Sequence, residues 1–398
     1  MAHRFISQRG DLRTRILSAT TIALLMASGG SALSGAAAHR TGHPAGLGQV
    51  LTSNDGGQIF GFDIDQAGND GVLATASSVE IFDADEGKIV KSIGHLTTQD
   101  SDYVAYGIAA GDVALVDHEV VPDGELFPKR HYLLLNPVSG KKFTGKWTPP
   151  PHGIIVQQMA EDQSSSTTTL FALTSLKRQE QPILVVSDLA ANTFSNVIRL
   201  NPDLFGVCNG PQLGQFTAAN LAWIASSPDC GAVFGRPPIN ALIDLSTGKV
   251  TQFSGYNNGF HHAGSVNGGA VDPNTGVAAT TTELNSQVEF YDLNKKKGIT
   301  FVQLPCTTDT DQLNSGTSVT NDPLNGLFLV SDPDYCDGSQ GGAIVVYDEK
   351  GNLIETITGF APPKDAVLNP PPRINPSKRI GWAFGGPNGS NQLQQFFY

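Results

Sequence analysis

Along this chain, apolar and polar residues alternate in short runs, and the runs come in pairs joined by tight turns. In "VYDEKGNLIETI" an alternating run reaches Asp348, a glycine turn follows, and a second alternating run begins. Alternation with period two marks strands with one face buried, and a Gly-containing turn between two such runs marks a hairpin. The same pattern occurs in "VEIFDADEGKIVKSI" (79–93), "YLLLNPVSGKKFTGKW" (132–147) and "ILVVSDLAANTFSNVI" (183–198). It returns in "ALIDLSTGKVTQF" (241–253) and "VEFYDLNKKKGITFV" (288–302). Asp83, Asn136, Asp188, Asp244, Asp292 and Asp348 open the six turns, at spacings of 53, 52, 56, 48 and 56 residues. An Asp or Asn side chain suits that place because it accepts a hydrogen bond from the backbone about two residues on.

A second turn precedes each hairpin. It reads "VDPNTGVAATT" (271–281), "NDPLNGLFLVS" (321–331), "SSPDCGAVFG" (226–235) and "INPSKRIGWAF" (374–384), with a looser form in "DIDQAGNDGVLATA" (63–76). Each period thus holds four strands. Four-stranded units repeating at roughly 40–50 residues predict an all-β propeller. Pro-x-x-Gly ahead of an alternating strand, followed by an Asp-centred hairpin, resembles the YVTN-type, WD40-like and lactonase-like propellers over residues 47–398. The WD40 signatures are missing: Trp-Asp does not occur, and Gly-His, at 42–43 and 94–95 only, does not repeat with the blades. The chain ends in "RIGWAFGGPNGSNQLQQFFY", two strands short of an outer partner, while "GQVLTS" (48–53) precedes the first inner strand, "IFGFDID" (59–65). The expectation is seven blades, with 48–53 pairing beside 392–398 to close the last one.

Composition sharpens this picture. Of 398 residues, 44 are Gly and 24 Pro, only 16% are charged and 39% are hydrophobic. That balance supports a large core cut by many turns rather than a disordered chain. Residues 1–38 read as a signal peptide: Arg4, Arg9, Arg13 and Arg15 precede the uncharged run Ile16 to Ala27, and Ala36-Ala37-Ala38 offers a cleavage site. Residues 39–47 then form a short linker and 48–398 the propeller, secreted or periplasmic. The apolar run is too short for a membrane span, and no second run approaches that length. Without its leader the chain carries 21 basic and 36 acidic residues, a net charge of −15. An acidic surface without a basic stripe argues against nucleic acid and anionic membranes as partners. A small molecule or a protein remains, with the chain itself monomeric.

In a propeller, the loops leading into inner strands share one face with the loops joining the middle two strands, around the mouth of the central channel. These loops hold Asp102, His152, His262, Asp311, Asn314 and Asp365, with Tyr103, Asn258, His261 and Lys364 nearby. The ligand-binding expectation is His152, His262, Asp311, Asn314 and Asp365. His152, His262 and Asp365 are the set that would hold a divalent cation. Two readings stand side by side: a wet lining that satisfies loop backbones, or a site. Adjacent residues on a strand point to opposite sides, so of the pair at 261–262 only one serves a single ion, and register favours His262. In lactonase-like relatives such a ring is where catalysis happens. The resemblance therefore implies, as the alternative to a binding module, a metal-assisted hydrolase; no catalytic residue is assigned.

Other chemistries find little support. There is no HExxH, CxxC or Gly-x-Ser-x-Gly pattern. "SNDGGQIF" (53–60) fits the aspartate box of sialidase-like propellers, but only seven Arg remain after the leader and none cluster. Trp147, Trp223 and Trp382 are too few for a tryptophan-docked quinoprotein, and the Asn388–Ser390 sequon reads as incidental. Four cysteines in an exported chain imply disulfides with three pairings open. The strand order favours Cys306–Cys336, both on the mouth face, and places Cys208 and Cys230 on opposite faces.

Overall fold

The turn-opening acids do what their chemistry allows. In all six hairpins the Oδ1 of Asp83, Asn136, Asp188, Asp244, Asp292 or Asp348 accepts a backbone N–H from two to four residues ahead, at 2.8–2.9 Å. Asp65, Asp272 and Asp322 do the same in the preceding turns. Each such bond satisfies a turn N–H that has no ladder partner, so the turn is specified locally.

The computed structural model describes residues 44–75, 77–94, 103–120, 129–143, 154–176, 179–202, 205, 211–226, 239–254, 266–282, 287–305, 318–332, 335–336, 341–361, 371–386 and 389–398. These form seven antiparallel sheets, the blades of a propeller, with one three-residue 3-10 turn. Blade 1 runs from inner to outer strand as β2 (Ile59–Ile64), β3 (Asp70–Thr75), β4 (Ser78–Asp83) and β5 (Lys88–Gly94). Blade 2 holds β6 (Tyr103–Ala109), β7 (Val113–Val120) and β8 (Lys129–Leu135). Beyond β8 the described residues hold an isolated bridge between Leu135 and Lys142. Blade 3 is β9 (Ile155–Met159), β10 (Thr168–Leu176), β11 (Gln179–Asp188) and β12 (Thr193–Arg199). Blade 4 is β13 (Gln212–Phe216), β14 (Leu221–Ser226), β15 (Ile239–Asp244) and β16 (Val250–Ser254). Blade 5 is β17 (Val266–Val271), β18 (Val277–Thr282), β19 (Gln287–Asp292) and β20 (Lys297–Gln303). Blade 6 is β21 (Ser318–Asp322), β22 (Leu327–Asp332), β23 (Gly342–Asp348) and β24 (Leu353–Phe360). Blade 7 is β25 (Arg373–Asn375), β26 (Ile380–Gly386), β27 (Gly389–Phe397) and, as its outer strand, β1 (Gly46–Thr52).

The predicted closure is therefore present. β1 pairs antiparallel with β27, Leu51 opposite Leu393 and Thr52 opposite Gln392. Buried glutamines reinforce the seam. Gln394 Nε2 donates to the carbonyls of Gly48 and Gln49, and Gln395 Oε1 accepts the Gln49 N–H. Gln395 Nε2 and Trp382 Nε1 both donate to the Ala84 carbonyl of blade 1, each at 2.9 Å.

The core is not one mass but seven, each filling the gap between neighbouring blades. Phe62, Leu73 and Phe82 of blade 1 pack with Trp382, Phe384 and Leu393 of blade 7. Equivalent clusters join blades 1 and 2, 2 and 3, and so on to 6 and 7, which makes the ring continuous. Burial falls outward. Every residue of β13 and β21 is buried, whereas β20 alternates between exposed and half-buried.

One expectation fails. "SSPDCGAVFG" (226–235) is not the turn after the inner strand of blade 4, because β14 already ends at Ser226. The turn is residues 217–220, where Asn220 takes the left-handed conformation (φ 53°) that Gly276 and Gly326 take in blades 5 and 6. Asn tolerates that region better than most residues, so the turn needs no Pro-x-x-Gly. Residues 227–238, between β14 and β15, lie outside the described residues. Cys208 and Cys230, expected on opposite faces, both lie outside the described residues.

Candidate functional site

The residues expected at the channel mouth lie in connections leading into inner strands: His152 ahead of β9, His262 ahead of β17, Asp311 and Asn314 ahead of β21, and Asp365 ahead of β25. All five lie outside the described residues, as do Asp102, Asn258, His261 and Lys364. Tyr103 opens β6, with its side chain outside the description. Among the described residues, no group of three or more His, Cys, Asp and Glu is placed to hold a metal ion.

At the opposite end of the channel the geometry is explicit. The connection between the first and second strands of a blade spans three to five residues in six blades. In blade 3 it spans eight, 160–167, "AEDQSSST". This loop reaches the channel axis and touches four other blades. Gln163 Nε2 donates to the Ile64 carbonyl and its Oε1 accepts the Gln66 N–H, both at 2.8 Å, on blade 1. Asp162 accepts the Thr217 hydroxyl, and Ser165 accepts Gln215 Nε2 at 3.2 Å, on blade 4. Glu161 meets blades 6 and 7: Oε2 accepts the Thr320 hydroxyl at 3.0 Å, and Oε1 is in ion contact with Arg373 Nη1. Blades 6 and 7 stand across the ring from blade 3, so these contacts can only be made through the channel.

Arg373 is itself fixed from the side. Its Nε donates to the Phe62 carbonyl at 3.3 Å and lies 3.5 Å from Asp63 Oδ1, both on blade 1. The other oxygen of Asp63 accepts the Ile108 N–H of blade 2. Gly107 makes this approach feasible. It has φ +141°, and a Cβ there would stand 3.0 Å from Asp63 Oδ2 and 2.6 Å from Met159 Cε. Asp63 and Arg373 are nearly sealed from solvent, with side chains 6% and 9% exposed, while Glu161 keeps 29%. Burial therefore pushes the Asp63 carboxyl up, with Arg373 and the N–H groups of Ile108 and Ile64 pulling the other way. Burial likewise lowers the Arg373 guanidinium, against the attraction of Asp63. Two charges withdrawn from water compensate each other only in part.

Sequence reasoning did not find this cluster. Its one visible trace is the extra length of a polar connection, since Glu161 and Arg373 share no motif. The aspartate-box segment resolves into a local clamp instead. Asp55 accepts the hydroxyls of Thr75 (2.6 Å), Ser77 and Ser78 (3.1 Å) and the Gly57 N–H (2.8 Å). Burial pushes this carboxyl up, but the donors together outweigh it and hold it at about 2. Cys336, half-buried beside the cluster between blades 5 and 6, is not a free thiol. Its expected partner Cys306 lies outside the described residues.

No family model matches the chain, and no curated protein is detectably similar to it. The seven-bladed architecture thus stands on the turn spacing and the structure, without a matched family.

Proposed function

We propose that this protein is an exported β-propeller that acts as a binding module, taking a small molecule at the mouth of its channel. The observation that supports it most is the bridge of Glu161, Gln163 and Arg373. A channel crossed by side chains at one end is a recess rather than a tunnel, and recesses with a few convergent polar groups are where small ligands bind. The residues offered for the mouth are His152, His262, Asp311, Asn314 and Asp365, drawn from four blades by strand order. The finer likeness, to YVTN-type and lactonase-like repeats, belongs to the same proposal and rests on the turn motifs.

The test begins with metal analysis of the mature protein and a thermal-shift screen of small molecules, followed by His152→Ala and His262→Ala. Loss of tenfold or more in affinity for a screened ligand in both variants is the expected result. Wild-type affinity in both would remove the mouth as the site. A tightly held divalent cation together with turnover of lactones or esters would replace the binding reading with the hydrolase. Export is checked separately, by the N-terminal sequence of the mature protein, expected to start just after Ala38.

A further inference from the structure

The two carboxylate oxygens of Glu161 are received by two different blades. Oε1 faces Arg373 Nη1 of blade 7, and Oε2 accepts the Thr320 hydroxyl of blade 6 at 3.0 Å. The receiving groups sit on inner strands β25 and β21, and Arg373 is held in place independently of Glu161, by Phe62 and Asp63. Glu161 is on a connection between strands, and it is the most exposed of the three charges. A rigid receptor and a loop-borne occupant are thus distinguishable. Arg373 Nη1 is buried, and Glu161 Oε1 is its ion partner.

From this arrangement we infer that Arg373 and Thr320 form a carboxylate-binding site inside the channel, and that Glu161 is its internal occupant. A ligand carboxylate competes for the same two donors, and an arginine fork suits a carboxylate through paired N–H groups. Binding then releases Glu161 and with it the hold of loop 160–167 on blades 6 and 7. The ligand class is a monocarboxylate rather than a phosphate. Asp63 already neutralises part of the guanidinium charge from 3.5 Å, and a dianion would be repelled there. The inference does not rest on the residues offered for the mouth.

The experiment is calorimetric titration of the mature protein with acetate at constant ionic strength, using sodium chloride as the matched control. Removing an internal competitor restores the fraction of protein ready to bind. Glu161→Ala is therefore expected to bind acetate at least about tenfold more tightly than wild type. Adding Arg373→Met to that variant should abolish the gain. Where that protein does not fold by circular dichroism, Arg373→Lys in the same background keeps the charge without the fork and should lose most of it. A crystal of Glu161→Ala grown in acetate should hold the anion between Arg373 and Thr320. Equal acetate affinity in wild type and Glu161→Ala overturns the inference, as does a gain that survives Arg373→Lys undiminished.

Discussion

Gly107 permits Asp63 to enter the channel cluster, and Gly107→Ala tests that statement quantitatively. Two costs are legible. The backbone stands at φ +141°, which residues with a Cβ rarely adopt, at about 1–3 kcal/mol. The new methyl would also lie 3.0 Å from Asp63 Oδ2 and 2.6 Å from Met159 Cε. Methionine ends swing away cheaply, but Asp63 is tied to the Ile108 N–H and to Arg373, so its displacement adds about 1 kcal/mol. The expected total is about 2–4 kcal/mol. Urea denaturation followed by the fluorescence of Trp223 and Trp382, both fully buried, measures it, provided circular dichroism gives the same transition. Met159→Ala in the Gly107→Ala background should recover under about 1 kcal/mol relative to additivity, because the methionine is the yielding partner. A Gly107→Ala cost below about 0.5 kcal/mol would refute the reasoning, since neither backbone strain nor the Asp63 contact would then be real. Recovery of the whole cost by Met159→Ala would refute its assignment to Asp63.

Three other outcomes are expected. Deleting residues 44–53 removes the outer strand of blade 7 and the buried Leu51, whose burial alone is worth about 2 kcal/mol, so thermal melting should fall or lose cooperativity; unchanged melting would rule out closure by β1. Peptide mapping without reductant should find Cys306 joined to Cys336, closing a loop of about 30 residues worth ~3 kcal/mol, and Cys336 linked elsewhere would end that pairing. Asp55→Asn removes a carboxylate held at about 2 in the fold against a normal value of 3.8. A depressed folded pKa means that its stabilisation is complete above about pH 4 and lost as pH falls from there through 2. The gap between wild type and variant, about 1 kcal/mol after allowing for exposure, should close over that interval, and a gap independent of pH would count against it.

What was legible in the sequence was what local chemistry decides. The aspartates that open the hairpins specify turns through bonds to N–H groups only two to four residues ahead, so their spacing counted blades directly. The missing outer strand after Phe397 and the surplus one at 48–53 implied closure for the same reason: ladders need partners. Blade 4 misled because a Pro-x-x-Gly stretch stood a few residues downstream, while the turn itself carries no such motif and has Asn220 at the left-handed position. The cross-channel contact of Glu161 with Arg373 left no trace beyond the extra length of the connection 160–167. It depends on blade 3 facing blades 6 and 7 across a ring, which is a property of closure and not of any segment.

That cluster also separates what stabilises this fold from what its interior is arranged to do. Stability is supplied by seven apolar clusters, one per blade interface. Asp63, Glu161 and Arg373 add charges withdrawn from water, and a buried ionic triad is commonly neutral or costly relative to uncharged groups of similar shape, whereas removing one member alone strands the others. Arg373→Met should therefore cost about 3–5 kcal/mol, because Asp63 is left buried beside Glu161 without its cation. The combined variant Asp63→Asn, Glu161→Gln, Arg373→Met keeps an acceptor for the Ile108 N–H and leaves no unpaired charge. It should come within about 1 kcal/mol of wild type or exceed it. Denaturant melts of the two proteins decide the matter. If the combined variant is as unstable as Arg373→Met, the triad is a structural brace, and stability alone accounts for its presence. If it is as stable as wild type yet no longer responds to acetate in the background that lacks Glu161, the charges are retained for what they bind.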